Sequence, residues 1–209
     1  MKKIQKVLLI LFSAVALIIF FDTKTKAQIA LHSNMSYSKI RNDVSIENKK
    51  ALLGYNYGIA VQYYPFRNAQ KLSVINEFNF SRKGYRQNFE EEYEFKFDYL
   101  SFPILVDYSL FHNISLQTGV ELSQMIDANI EGWKDTYNKF DLGLVLGTSY
   151  YYKKKWSLYI RFTYGVLPIL DYYNIDDLGN FNGKIHDLKN ISVALGIKFN
   201  ITNEKITCK

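Results

Sequence analysis

The chain has 209 residues and a formal net charge of +6, but five lysines and Asp22 sit within the first 27 residues, leaving only about +2 on the remainder. That balance predicts no polyanion partner, and nucleic acid drops out as a default one. Cys208 is the single cysteine, so no intramolecular disulfide is available and the fold must be held by non-covalent contacts.

The N-terminus reads as a secretory signal. Lys2, Lys3 and Lys6 form a basic start, residues 7–21 are apolar apart from Ser13, and Thr25 and Ala27 are small enough to flank a cleavage site after Ala27. The apolar run is short for a membrane-spanning helix. The expected division is a signal peptide over 1–27, a β-barrel domain over 28–201 and a C-terminal tail over 202–209.

From Gln28 onward apolar residues recur at every second position, the period of strands rather than helices. Eight segments carry it: 28–38, 53–64, 72–82, 95–110, 114–127, 140–152, 156–166 and 191–201. In 140–152, Phe140, Leu142, Leu144, Leu146, Tyr150 and Tyr152 share one face, while Asp141, Gly143, Gly147 and Ser149 share the other. In the fourth segment the apolar parity switches between Tyr99 and Leu100, which predicts a β-bulge there. Pro103 follows on the polar face and cannot donate a ladder hydrogen bond.

The connections alternate in length. Those at 65–71, 111–113 and 153–155 are short, and those at 39–52, 83–94, 128–139 and 167–190 are long, the order of short periplasmic turns and long extracellular loops. Aromatic residues gather at both strand ends, including Tyr63, Tyr64, Tyr108 and Trp156 at the short-turn end and Tyr55, Tyr57, Phe140 and Tyr164 at the long-loop end. Two such bands imply a bilayer between them. The expected fold is an all-β, eight-stranded antiparallel up-and-down transmembrane barrel. Its apolar face points outward, because an interior this narrow holds only side chains. A soluble β-barrel binding module, the alternative architecture, requires the opposite arrangement around an apolar pocket.

Charged residues fall on the inward parity: Glu77, Asp107, Glu121, Asp141, Arg161 and Lys198. A lone buried charge is costly, so they are expected to pair. Glu77, Glu121, Asp141 and Arg161 form the expected structural charge cluster, with Arg161 bridging toward Glu121 and Glu77 nearby. The functional alternative is a gated or proton-conducting lumen.

The last long loop combines Tyr172, Tyr173 and Phe181 with Asp176, Asp177 and His186, a composition suited to protein or glycan contact or to a lid on the barrel mouth. His186 with neighbouring aspartates is the only material for a general base. His32 and His112 stand apart from any nucleophile motif such as G-x-S-x-G. No metal-ligand spacing is present. The expectation is therefore no catalytic, metal or cofactor residue, with a rim or loop active site as the alternative.

The stretches YLSFPILVDYSL (99–110), LQTGVELSQM (116–125), FDLGLVLGTSYYY (140–152), WSLYIRFTYGVLPI (156–169) and ISVALGIKFN (191–200) resemble the PorT-like outer-membrane β-barrel family of Bacteroidetes. The resemblance implies a barrel embedded in outer-membrane lipid. The family's namesake is associated with a protein secretion and surface-maturation pathway, and the expected role here is a non-enzymatic structural or interaction module, accessory to protein secretion or envelope assembly. The tail TNEKITCK (202–209) departs from the family's habit of stopping at an aromatic residue.

Overall fold

The computed structural model describes residues 27–41, 49–65, 71–88, 91–129, 137–152, 155–175 and 181–202. Residues 1–26, nearly all of the expected signal peptide, and 203–209 of the expected tail lie outside the described residues. In chain order the strands are β1 (Ala27–Arg41), β2 (Lys49–Tyr63), β3 (Leu72–Asn88), β4 (Glu92–Ser109), β5 (Ile114–Ala128), β6 (Phe140–Tyr152), β7 (Trp156–Gly165), β8 (Leu170–Ile175), β9 (Phe181–Asp187) and β10 (Lys189–Asn200). Eight of them close into a barrel in the order β1-β10-β7-β6-β5-β4-β3-β2, while β8 and β9 form a separate two-stranded sheet. Every neighbouring pair is antiparallel. Closure leaves no sheet edge, so the backbone is satisfied internally even where lipid surrounds it.

The alternation read from the sequence becomes two opposed surfaces. Outward positions are long and apolar: Met35 is 62% exposed, Leu146 54% and Leu195 65%. A continuous belt of this size has no place against water and marks the lipid-facing surface. Inward positions are polar or small, with Ser101, Ser115 and Gln117 fully buried. At Gly196 a Cβ would run into the ring of Tyr159, so glycine there makes room for that ring to lie across the lumen.

The first four strands run past their expected long-loop ends, β3 furthest. The segment 83–94 is not a loop: β3 and β4 stay in register from Lys83↔Phe97 through Tyr85↔Phe95 to Asn88↔Glu92. Tyr85 and Phe95 stack with ring centroids 4.6 Å apart, and Arg86 reaches Glu92 at 3.0 Å. Charges replace the apolar residues in this extension because it rises out of the membrane, and that polarity is why it reads as loop in the sequence. Within 167–190 the backbone of β8 and β9 likewise forms a hairpin, paired from Leu170↔Asp187 to Ile175↔Phe181.

The bulge expected in β4 lies elsewhere. Phe97, Tyr99, Ser101, Leu105 and Asp107 all point inward, so β4 keeps one parity throughout. On the β4–β5 ladder Asp98 faces Asp127 and Tyr99 faces Met125, which leaves Ile126 of β5 as the extra residue. What switches at Tyr99 is the chemistry of the lumen. Below it the interior is mainly polar, around a small apolar cluster of Ala30, Ala60, Ile75, Leu105 and Val145, and from it upward Ile40, Tyr85, Phe97, Tyr99, Met125, Ala128, Tyr137, Ile169 and Leu188 form an apolar cluster across the long-loop mouth. Pro103 lies where the β3–β4 ladder lapses between Asn76↔Ile104 and Asn79↔Ser101, while its pairing with Glu121 of β5 is kept. The missing donor is thus accommodated on one side of the strand only.

The mouth is closed by the roots of two connections. Asn138 N donates to Ile169 O at 2.9 Å, Ile169 N donates to Leu188 O at 2.8 Å, and the Asn138 side-chain amide donates to Pro168 O at 3.0 Å. Leu188 holds a positive φ of 61°, a left-handed conformation that costs a non-glycine residue about 1–2 kcal/mol. Its side chain is buried in the mouth cluster, and burial of a leucine, worth about 1.5–3 kcal/mol, offsets that strain.

Candidate functional site

The described lumen holds seven buried carboxyl, lysine and arginine side chains: Glu77, Lys83, Asp107, Glu121, Asp141, Arg161 and Lys198. They sort into two tiers. In the tier nearer the short turns, Arg161 of β7 meets Glu77 of β3 in a bidentate pair, with Nη1 donating to Oε2 at 2.7 Å and Nη2 to Oε1 at 2.8 Å. β7 and β3 are four strands apart in either direction around the barrel, so this pair spans its diameter. The fork of a guanidinium matches a carboxylate in this geometry, which fixes direction as well as charge.

The expectation that Arg161 bridges toward Glu121 is therefore corrected. Glu121 takes its charge partner from Lys83, whose Nζ lies 2.6 Å from Oε1 and 3.8 Å from Asp141 Oδ2. Asp141 Oδ2 also accepts from the Asn190 side-chain amide at 2.8 Å. Lys83 escapes the sequence reading because it falls in the segment read as loop. Continuation of β3 past Arg82 turns it into the lumen and supplies Glu121 with a cation.

Further partners complete the lower tier. Arg161 Nε donates to Gln117 Oε1 at 2.9 Å, and Gln117 Nε2 donates to Asp107 Oδ1 at 2.9 Å. Lys198 Nζ approaches Glu77 Oε1 at 3.4 Å. Asp107 is solvated by neutral donors, with Ser115 Oγ at 2.6 Å and the Tyr151 hydroxyl at 3.3 Å. Such groups stand in for water around a carboxylate that would otherwise be costly to bury. Arg161 also lies over the face of Tyr159, 4.4 Å from its centroid.

His32 belongs to this tier, although nothing in the sequence sets it apart. Asn34 Nδ2 donates to the Tyr159 hydroxyl at 2.9 Å, leaving that hydroxyl to donate to His32 Nδ1 at 3.0 Å. Nε2 then carries the proton and donates to Asn79 Oδ1 at 2.8 Å. Both ring nitrogens are taken, one by a phenol and one by an amide, and neither faces an activated nucleophile. His112 is exposed in a short turn. Among the described residues no group of three His, Cys, Asp or Glu side chains is placed to hold a metal ion.

Between the tiers lies a cavity of about 30 Å³, lined by Asn34, Asn56, Ser81, Lys83, Glu121 and Arg161 among others. That volume has room for about two water molecules. Asn34 Oδ1 and Asn56 Oδ1 are buried without a hydrogen-bond partner among the described residues, so a donor such as water suits them. The lumen as a whole is a packed polar plug, bolted across its diameter and stoppered by aromatic rings.

Of the expected interaction loop, Tyr172 and Tyr173 fall on β8, and Phe181 and His186 on β9. Asp176 and Asp177 lie outside the described residues. The sequence missed Lys83, Gln117, Tyr159, Asn34 and Asn79 as members of the lumen network. Their inward parity was the available signal, but their polarity alone does not single them out among the many other inward polar residues.

No curated protein matches the chain in sequence. In fold it is similar to Neisserial surface protein A, at 14% identity and a TM-score of 0.49, over 84% of this chain and 99% of that one. It is also similar to OprG from Pseudomonas aeruginosa, at 13% identity and a TM-score of 0.47, over 84% of this chain and 95% of that one. A third similar structure is Ail, the attachment invasion locus protein of Yersinia pestis, in complex with the heparin analogue sucrose octasulfate. It is 14% identical with a TM-score of 0.45, over 84% of this chain and 99% of that one. Residues 22–171 match the family described as the outer membrane protein beta-barrel domain. With a closed antiparallel barrel, an apolar outer belt and a polar filled lumen, this chain belongs to that outer-membrane β-barrel family.

Proposed function

We propose that this outer-membrane barrel is a non-enzymatic structural or interaction module that works through its long-loop end, as an accessory to protein secretion or envelope assembly. The observation that carries the reading is the filled lumen: the Arg161–Glu77 pair crosses its diameter and the aromatic cluster closes its mouth. A barrel plugged in this way has little use for its interior beyond stability, and its distinctive surface is then the rim. There the β3–β4 hairpin and the β8–β9 sheet extend beyond the barrel, and rigid scaffolds commonly carry function on such extensions. A protein or glycan is the partner class suited to the tyrosine, amide and acidic composition of the last loop. The resemblance to PorT-like barrels of Bacteroidetes supports the secretion or assembly setting, and the N-terminal 27 residues serve as the cleaved export signal.

The test pairs two measurements on the exported chain. A photo-crosslinking residue at position 173 in living cells is expected to trap a discrete protein or glycan adduct, while one at position 112 in a short turn does not. The same protein in planar bilayers is expected to be silent. Regular conductance steps, or crosslinks confined to the short-turn side, would overturn the proposal.

A further inference from the structure

The charged rim of the barrel is divided into two unlike arcs. On β2, β3 and β4 four cations have carboxylate partners: Arg82 with Asp98 at 2.7 Å, Arg86 with Glu92 at 3.0 Å, Lys96 with Glu94 at 2.6 Å and Lys50 with Glu92 at 3.4 Å. On the neighbouring arc, formed by β1 and β10 beside β7, the outward positions at the long-loop ends are Lys39, Arg41 and Lys189. None of the three has a carboxylate within 4.0 Å among the described residues.

The register places these cations together. Arg41 is the direct cross-strand partner of Lys189, and Lys39 lies two residues along on the same face. Like charges directly opposite on an antiparallel pair repel. The Arg41 guanidinium packs over the Tyr164 ring at 4.5 Å, which holds it flat against the barrel wall, and its buried Nε has no hydrogen-bond partner among the described residues. Immediately below, the outward face is apolar: Tyr37 is 57% exposed, Val193 44% and Leu195 65%. Three clustered cations above an aliphatic and aromatic strip match an amphiphile with an anionic head and hydrocarbon tails.

We propose that the outer rim of β1 and β10 is a binding site for a phosphate-bearing lipid of the outer leaflet. Arg41, Lys39 and Lys189 hold the phosphate, and the acyl chains lie on Tyr37, Met35, Val193 and Leu195. Guanidinium and ammonium groups donate charge-assisted hydrogen bonds to phosphate oxygens, and basic residues at a membrane surface attract anionic headgroups. The phosphate relieves the repulsion between Arg41 and Lys189. On β2 to β4 the four paired cations Lys50, Arg82, Arg86 and Lys96 are already neutralised by carboxylates.

The exported chain, refolded in neutral detergent micelles, tests this by titration with bisphosphorylated lipid A and with the same lipid after enzymatic removal of its phosphates, read by native mass spectrometry. The wild type is expected to retain one phosphorylated lipid and to bind the dephosphorylated form at least about tenfold more weakly. The triple variant Lys39→Gln, Arg41→Gln, Lys189→Gln is expected to lose that preference. The control Lys50→Gln, Arg86→Gln, Lys96→Gln keeps it. Folding of each variant is read from its heat-dependent gel shift, and Arg41→Gln alone carries the test if the triple variant does not fold. Equal affinity for both lipids, or equal loss in both triple variants, would overturn the proposal.

Discussion

The lower lumen and much of the mouth are built on the same inward parity of the barrel strands, yet one is a lattice of charges and the other an apolar cluster rich in rings. In the lower tier Glu77, Arg161, Gln117 and Asp107 form a chain from wall to wall. At the mouth Phe97 and Tyr137 pack with centroids 5.0 Å apart, and Tyr85 stacks on Phe95. The difference follows from where water is. The mouth borders the aqueous side, so apolar groups gain by leaving water there and seal the barrel as they do so. The lower lumen is walled by strands that face lipid on their other side. Its polar lining is stabilised by mutual pairing, and its stability rests on every partner being present.

The sharpest way to break this contrast is to remove one partner of the diametral pair. Glu77→Leu strands Arg161 and Lys198 in a buried site and is expected to cost about 3–5 kcal/mol, measured by urea unfolding of the refolded barrel in lipid vesicles. Adding Arg161→Met is expected to recover part of that loss. A double variant no more stable than the single one would show that the pair contributes geometry rather than charge balance. At the mouth, Ile169→Ala is expected to cost about 3 kcal/mol through a cavity the surrounding rings cannot fill. The smallest effect is expected at the exposed pair: Arg86→Ala changes stability by less than about 1 kcal/mol in the same assay. A cost at Arg86 equal to that at Glu77 would mean that burial does not set the energetics of these ion pairs.

The eight barrel strands and their outward apolar face were legible in the sequence because each is local, whereas 83–94 proved to be mostly strand and 167–190 to hold a hairpin. A period of two survives whatever the neighbouring strand is. The inward positions of Glu77, Glu121, Asp141 and Arg161 followed from the same parity. The choice of partner among them did not, since Arg161 faces β3 across the barrel rather than Glu121 two strands away. Lys83 and His32 were missed for related reasons. Lys83 lies in an extension whose charges imitate a loop, and His32 acquires its partners only when β1, β3 and β7 are brought around one axis.

By itself, then, the sequence determined that the chain forms an alternating eight-stranded surface with lipid on one side and polar groups on the other. Only the tertiary structure decided that Glu77 and Arg161 meet across the diameter, that β3 and β4 rise beyond the membrane, and that the inward face turns apolar at Tyr99 without a bulge in β4. The physical reason is that side-chain alternation is written residue by residue along each strand. Stagger, closure and the distance across the lumen exist only once the last strand pairs with the first.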